Sequence, residues 1–184
     1  RKGDDPDFIP AQSHGHPLIE VGLVVASTAL LVVIAIPTFS GILLKGTLPD
    51  YAGDDYIEVN VTGYQWWWGF EYPDEGIHTA NELVFPAGKV IKLNLIANDV
   101  IHSFWLPKLA GKTDLIPGQN NEMWIQADEP GYFWGQCAEY CGDSHAYMLF
   151  RARSLTEEDY AQWLIDQKTP SVVGGADYSP VAVA

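Results

Sequence analysis

Basic residues are scarce in this 184-residue chain: 10 Lys and Arg stand against 24 Asp and Glu, for a formal net charge of -14. Nucleic acid is bound by neutralising its phosphates with Lys and Arg, so a chain of this sign excludes it as a partner and favours a cationic one. The same acidity also suits a domain that simply stays soluble. Cysteine is scarcer still, with only Cys137 and Cys141. That removes a disulfide framework as the main source of stability and leaves the pair a local role. Also missing are an internal repeat, a phosphate loop and any Cys-x-x-Cys-His run. No Met and no signal-peptide pattern stands at Arg1, so the expectation is a processed or trimmed chain. The length suits one domain with a core plus an appendage, and two large domains would not fit.

Hydrophobic residues are plentiful at 47% but unevenly spread. From Val21 to Leu44 there are 24 consecutive residues without a charge. A helix of that length spans roughly 36 Å against a hydrocarbon core of about 30 Å. The pattern predicts a single transmembrane helix over 18–45, bathed in membrane lipid, after a polar and acidic segment over 1–17. Pro37 falls inside the span and should kink it or relax its last turns. Glu20 stands at its start, where a carboxylate needs water or a polar cavity, and from position alone it reads as an interfacial acid. Lys45, Arg1 and Lys2 are too few to set the orientation of the helix.

After a linker over 46–55 the pattern changes to short β runs: Tyr56 to Thr62, Trp66 to Tyr72, Val90 to Ile96, Glu122 to Gln126, Tyr132 to Cys137 and Tyr147 to Arg153. Turn formers separate them, among them Pro73-Asp74-Glu75-Gly76, Pro86-Ala87-Gly88 and Glu129-Pro130-Gly131. Many short strands at this spacing predict a mainly β domain over 56–168, a Greek-key sandwich or barrel. Thr156 followed by Glu157, Glu158 and Asp159 marks a helix N-terminus running on to Gln167. The Pro-, Gly- and Ala-rich end over 169–184 reads as an extended tail.

The densest chemistry lies in Cys137-Ala138-Glu139-Tyr140-Cys141-Gly142-Asp143-Ser144-His145-Ala146-Tyr147-Met148. Two thiols, an imidazole and a thioether within one loop favour a soft metal such as copper. His102, in Asn98-Asp99-Val100-Ile101-His102, is the candidate for a further ligand from a strand end. Three other readings stay open on the residues alone. A local disulfide would leave His145 and Met148 without a role. A Cys2His2 zinc site would leave Met148 idle. A blue-copper site would have one thiol too many.

The loop resembles the dinuclear copper-A loop of cytochrome c oxidase subunit II, with each ligand position of that pattern filled. The resemblance implies a cupredoxin-like fold and two coppers bridged by Cys137 and Cys141. His102 and His145 would each ligate one copper, Met148 would ligate one weakly, and the Glu139 carbonyl would ligate the other. It further implies a magnesium or manganese ion shared with the catalytic subunit through the Glu139 side chain. Tyr64-Gln65-Trp66-Trp67-Trp68-Gly69-Phe70-Glu71-Tyr72 is similar to the family's aromatic segment, in which Trp66 would receive electrons from cytochrome c. Trp67 and Trp68 read as core or membrane-interface residues. Glu71 and Asp99 match acids that would attract cytochrome lysines. Glu20 stands seventeen residues before Pro37, matching the family's glutamate at the mouth of a proton path.

The implied protein is the electron-accepting subunit of a respiratory haem-copper oxidase in a bacterial inner membrane, its copper domain on the periplasmic side. Its implied partners are the catalytic subunit I, the other oxidase subunits and a cytochrome c, or a c-type cytochrome domain, as donor. Quinol oxidases carry a similar subunit without the copper ligands. The family commonly has two membrane helices before the copper domain, and here one is visible. A different class, a membrane-anchored copper-binding or delivery protein, would also use Cys, His and Met.

Overall fold

The computed structural model describes residues 11–12, 15–44 and 48–169, with the backbone at 172–173 and 176–177. Two compact units divide the chain, one ending at Leu44 and one beginning at Lys45.

In the first unit, helix α1 (Pro17–Leu44) starts on a proline, whose missing N–H is one that a first turn leaves unpaired anyway. Its apolar span has a mean hydropathy of 2.5, and the helix runs unbroken through Pro37. Successive helical residues point about 100° apart, and the consecutive Leu30, Leu31, Val32 and Val33 are all exposed. The helix is therefore apolar all round, as a lipid-facing span requires.

The second unit holds two five-stranded sheets. The strands are β1 (Tyr56–Tyr64), β2 (Trp67–Tyr72), β3 (Ile77–Ala80), β4 (Glu82–Pro86), β5 (Val90–Ala97), β6 (His102–Trp105), β7 (Lys112–Leu115), β8 (Asn121–Ile125), β9 (Gly131–Cys137) and β10 (Leu149–Leu155). One sheet has the order β3-β2-β1-β5-β8 and the other β4-β10-β9-β6-β7. The β1–β5 and β4–β10 pairs are parallel and the rest antiparallel, so the chain crosses between sheets as the predicted Greek-key sandwich requires. Period-two alternation sets the faces: in β1, Val59 and Val61 point into the core while Glu58, Asn60 and Thr62 stay outside.

The core is aromatic at its centre. Trp68 from one sheet meets Phe104 and Phe150 from the other at ring-centroid distances of 5.6 and 5.5 Å, both edge-on. Buried Tyr72 ties the sheets, its hydroxyl donating to the Val84 carbonyl and accepting from the Val84 N–H, each at 2.8 Å. Helix α2 (Glu157–Lys168) is capped by Thr156 Oγ1, which accepts the Asp159 N–H at 3.1 Å. It lays Tyr160 and Trp163 on the sandwich, with Trp163 against Tyr72 at 5.3 Å.

Sequence patterning misses β3, β4, β6 and β7, each only four or five residues long and too short to display a period. It also starts β10 two residues early, because Tyr147 belongs to a 3-10 turn over His145–Tyr147. Within the segment read as an extended tail, β11 (Val172–Val173) pairs antiparallel with β12 (Ala176–Asp177). The rest of that tail, and most of the segment over 1–17, lie outside the described residues.

Gly135 on β9 lies flat beneath the Phe150 ring, and a Cβ there would run into that ring. Gly135→Ala should therefore destabilise the β unit by about 1–3 kcal/mol through overpacking. A denaturant titration followed by tryptophan fluorescence checks this, and an unchanged midpoint would contradict the packing described.

Candidate metal centre

Backbone hydrogen bonds build the site before any side chain is considered. The Cys137 N–H donates to the Met148 carbonyl at 3.0 Å, which closes the loop between β9 and β10 at its neck. The Ala138 N–H donates to the Ser103 carbonyl at 2.9 Å, which docks the loop on β6. Phe104 pairs with Cys137 across the β6–β9 ladder, so His102, two residues along on the same buried face, projects toward the loop. The turn over His145–Tyr147 brings His145 back to Cys141, and the Met148 N–H bonds the His145 carbonyl at 3.2 Å.

The result is a compact group of soft donors. Cys137 Sγ stands 3.7 Å from Cys141 Sγ and 3.9 Å from His102 Nδ1. Cys141 Sγ stands 3.6 Å from His145 Nδ1 and 3.7 Å from Met148 Sδ. The Glu139 carbonyl oxygen lies 3.2 Å from Cys137 Sγ. His102, Cys137, Cys141 and Met148 are buried. The ligand atoms of His102, Cys137 and Cys141 lie within 4.8 Å of one another. Both thiols are free, far beyond the roughly 2.05 Å of a disulfide, which removes that reading.

The donor set passes a simple test of fit. Two sulfurs bound to one ion at about 2.3 Å in tetrahedral geometry stand about 3.8 Å apart, and these two stand 3.7 Å apart. Two thiols, two imidazoles, a thioether and a carbonyl exceed what one tetrahedral ion takes, but they satisfy two ions that share the thiolates.

Electrostatics pull the protons of the group in opposite directions. Burial opposes ionisation of Cys137, but its contacts with His102, with the main chain of Ser103 and Glu139, and with His145 outweigh it and bring the thiol down to about 6. Burial, together with the neighbouring Cys137, pushes Cys141 up to about 12. Burial also works against charge on His102, yet Cys137 on one ring nitrogen and Asp99 on the other hold its imidazole above the ordinary range. A bound metal replaces protons on such groups.

The family profile described as cytochrome c oxidase subunit II, periplasmic domain, matches residues 75–155. The chain is 42% identical over 167 residues to cytochrome c oxidase subunit 2 of Alkalihalophilus pseudofirmus, covering 89% of this chain and 48% of that one. Against cytochrome c oxidase subunit 2 of Bacillus subtilis it is 37% identical over 171 residues, covering 87% and 48%. The crystal structure of the periplasmic domain of subunit II of the Bradyrhizobium japonicum cytochrome oxidase superposes with a TM-score of 0.60 at 35% identity. That match covers 62% of this chain and 94% of that domain.

The chain belongs to the cytochrome c oxidase subunit II family. Its fold is the cupredoxin-like one expected of that family. The chain spans about half the length of the curated relatives it matches.

The other residues singled out in the sequence take varied places in this family member. Trp66 is 37% exposed, and its Nε1–H points to the Cys141 carbonyl at 3.3 Å, so the indole lies against the loop. Trp67 stacks on Tyr64 at 4.3 Å, while Trp68 is fully buried. Trp68 does more than fill the core: its Nε1–H reaches the Met148 carbonyl at 3.4 Å and its ring meets the His102 ring edge-on at 6.1 Å. Glu71 lies four residues beyond Trp67 on the outward face of β2 and accepts from Asn60 Nδ2 at 3.0 Å. Asp99, expected to face a docking partner, is exposed, and its two oxygens also accept hydrogen bonds from the Gln65 and Val100 N–H groups and meet His102 Nε2. Glu20 occupies the first turn of α1 and folds back over Gly15.

Gly63 and Gln65 escape sequence reasoning. A Cβ on Gly63 would lie 2.8 Å from His102 Cδ2, so the glycine is what lets the ring lie flat on β1. Gly63→Ala should tilt His102 away from Cys137 and weaken retention of a thiophilic ion by about 10-fold or more. Competition with a chelator measures this, and unaltered affinity would contradict it.

Proposed function

We propose that the chain is the electron-accepting subunit of a membrane-bound cytochrome c oxidase, a proton-translocating oxidoreductase whose oxygen chemistry lies in its catalytic partner. The observation that carries this reading is the pair of buried, unbonded thiols 3.7 Å apart with two imidazoles, a thioether and a main-chain carbonyl gathered around them. His102, Cys137, Cys141, His145, Met148 and the Glu139 carbonyl would hold two coppers. Bound there, copper would supply one-electron redox chemistry.

The rest follows from what the chain's own residues do. The β9–β10 neck and the β6 contact hold both thiols and His102 in place, so the donor set would change little between oxidation states and the reorganisation that slows electron transfer would stay small. The buried Trp68, Phe104 and Phe150 keep water from the inner side of the group. Trp66, lying on the loop and partly exposed, would receive electrons from cytochrome c or a c-type cytochrome domain. Val100, Ile101, Tyr140 and Tyr147 are exposed as well, an apolar rim suited to docking a protein. The chain's net charge of -14 favours a basic donor. Glu71, on the outward face of β2, and the exposed Asp99 are the acids that would attract its lysines.

Electrons would pass on to haem in subunit I, which with the other oxidase subunits completes the complex. The exposed Glu139 carboxylate is where a magnesium or manganese ion shared with subunit I would attach. Glu20 would mark the mouth of a proton path, with α1 lipid-bound in the bacterial inner membrane and the β unit on the periplasmic side.

The test is stopped-flow reduction of the copper-loaded chain by reduced cytochrome c. Trp66→Phe should slow it on the order of tenfold, about 1.4 kcal/mol in the barrier, at unchanged copper content. Cys137→Ser should lose the bound copper and all reduction. Wild-type rates in both variants would overturn the reading, and a single Cu(I) per wild-type chain would favour a copper carrier.

A further inference from the structure

Gln65 and Asp99 lie outside the donor set, yet they close a circuit around it. Asp99 Oδ1 stands 2.7 Å from His102 Nε2, on the side of the ring remote from Cys137, and accepts the Val100 N–H at 2.7 Å. Its Oδ2 accepts the Gln65 N–H at 2.7 Å. From the same residue, Gln65 Nε2 donates to the Cys141 carbonyl at 2.7 Å, the oxygen that Trp66 Nε1 also approaches. The circuit therefore runs from Cys137 through His102, Asp99 and Gln65 to Cys141. Gly142 makes the close approach possible, since a Cβ there would meet Gln65 Nε2 and the Trp66 ring at 3.1 Å.

A histidine that binds a metal through one nitrogen is oriented by what the other nitrogen donates to, and a carboxylate does this most firmly. Here the carboxylate's second oxygen holds the Tyr64–Gln65 peptide, one residue before Trp66. The ring that faces the thiols and the indole that faces the surface are thus hung from a single side chain.

We infer that Asp99 and Gln65 are positioning residues, a hydrogen-bonded clasp that turns the His102 ring toward Cys137 and holds Trp66 against the Cys141–Gly142 edge of the loop. The functional consequence rests on the copper reading, but the clasp itself belongs to the metal-free chain.

Two measurements on the full chain in detergent test it. The first is long-range proton–nitrogen NMR of the imidazoles without metal. Wild type should show a slowly exchanging His102 Nε2–H, and in Asp99→Asn, which cannot offer that acceptor oxygen in the same way, it should exchange at least about 10-fold faster. Asp99→Glu keeps a carboxylate and should recover part of the protection, which separates loss of the acceptor from loss of the fold. The second uses copper-loaded protein. Asp99→Asn should weaken copper retention by about 10–100-fold. Gln65→Ala should keep its copper and its KM for cytochrome c, yet be reduced as slowly as Trp66→Phe, with the double variant no slower than either single one. An unchanged His102 signal in Asp99→Asn, or wild-type reduction of Gln65→Ala, overturns the clasp. A wild-type chain that takes up no copper overturns the proposed function instead, and the metal-free spectrum still decides the clasp.

Discussion

The structure turns on two buried sulfurs kept 3.7 Å apart and unbonded. Left to themselves in an oxidising compartment, two thiols this near tend toward a disulfide, and a flexible loop would permit it. Here the spacing is held by the neck of the loop, pinned by the Cys137–Met148 and Ala138–Ser103 backbone bonds, together with the imidazoles and thioether that crowd each sulfur. The sandwich makes this possible. A ladder position fixes Cys137 opposite Phe104, and the same ladder delivers His102 to the other side of the sulfur. The loop adds the remaining donors by local turn geometry alone.

Charge is arranged against this background with some economy. The chain is strongly acidic, yet the donor group itself carries no acidic side chain toward the thiols: Asp99 meets the far nitrogen of His102, and Glu139 turns its carbonyl inward and leaves its carboxylate outside. A carboxylate one atom from the thiols would harden the site and favour other metals. Kept behind the imidazole, it strengthens the histidine as a donor without entering the donor set.

How much of this was legible in the sequence depends on the kind of interaction. The apolar run of α1 and the alternation of β1, β5 and β9 carry their own period and are readable. The α2 start is readable because Thr156 and the three acids after it obey local capping rules. Strands β3, β4, β6 and β7 are too short to show a period and exist because neighbours pair with them. The metal group is readable because its donors crowd one loop, with His102 as the outlying member. The Gly63 contact and the Gln65 bridge are not, since each depends on strands brought together from far apart in the chain. The Asp99–His102 bond had a signal in its spacing of three residues. The family resemblance points instead to a docking role, because the position matches an acid beside the aromatic segment.

The sharpest trial of the account is the electron paramagnetic resonance spectrum of the copper-loaded chain with its two cysteines intact. One unpaired electron is expected, with a hyperfine pattern of equal coupling to a pair of copper nuclei. A pattern from a single copper nucleus, or protein that binds zinc and gives no copper signal, would contradict it.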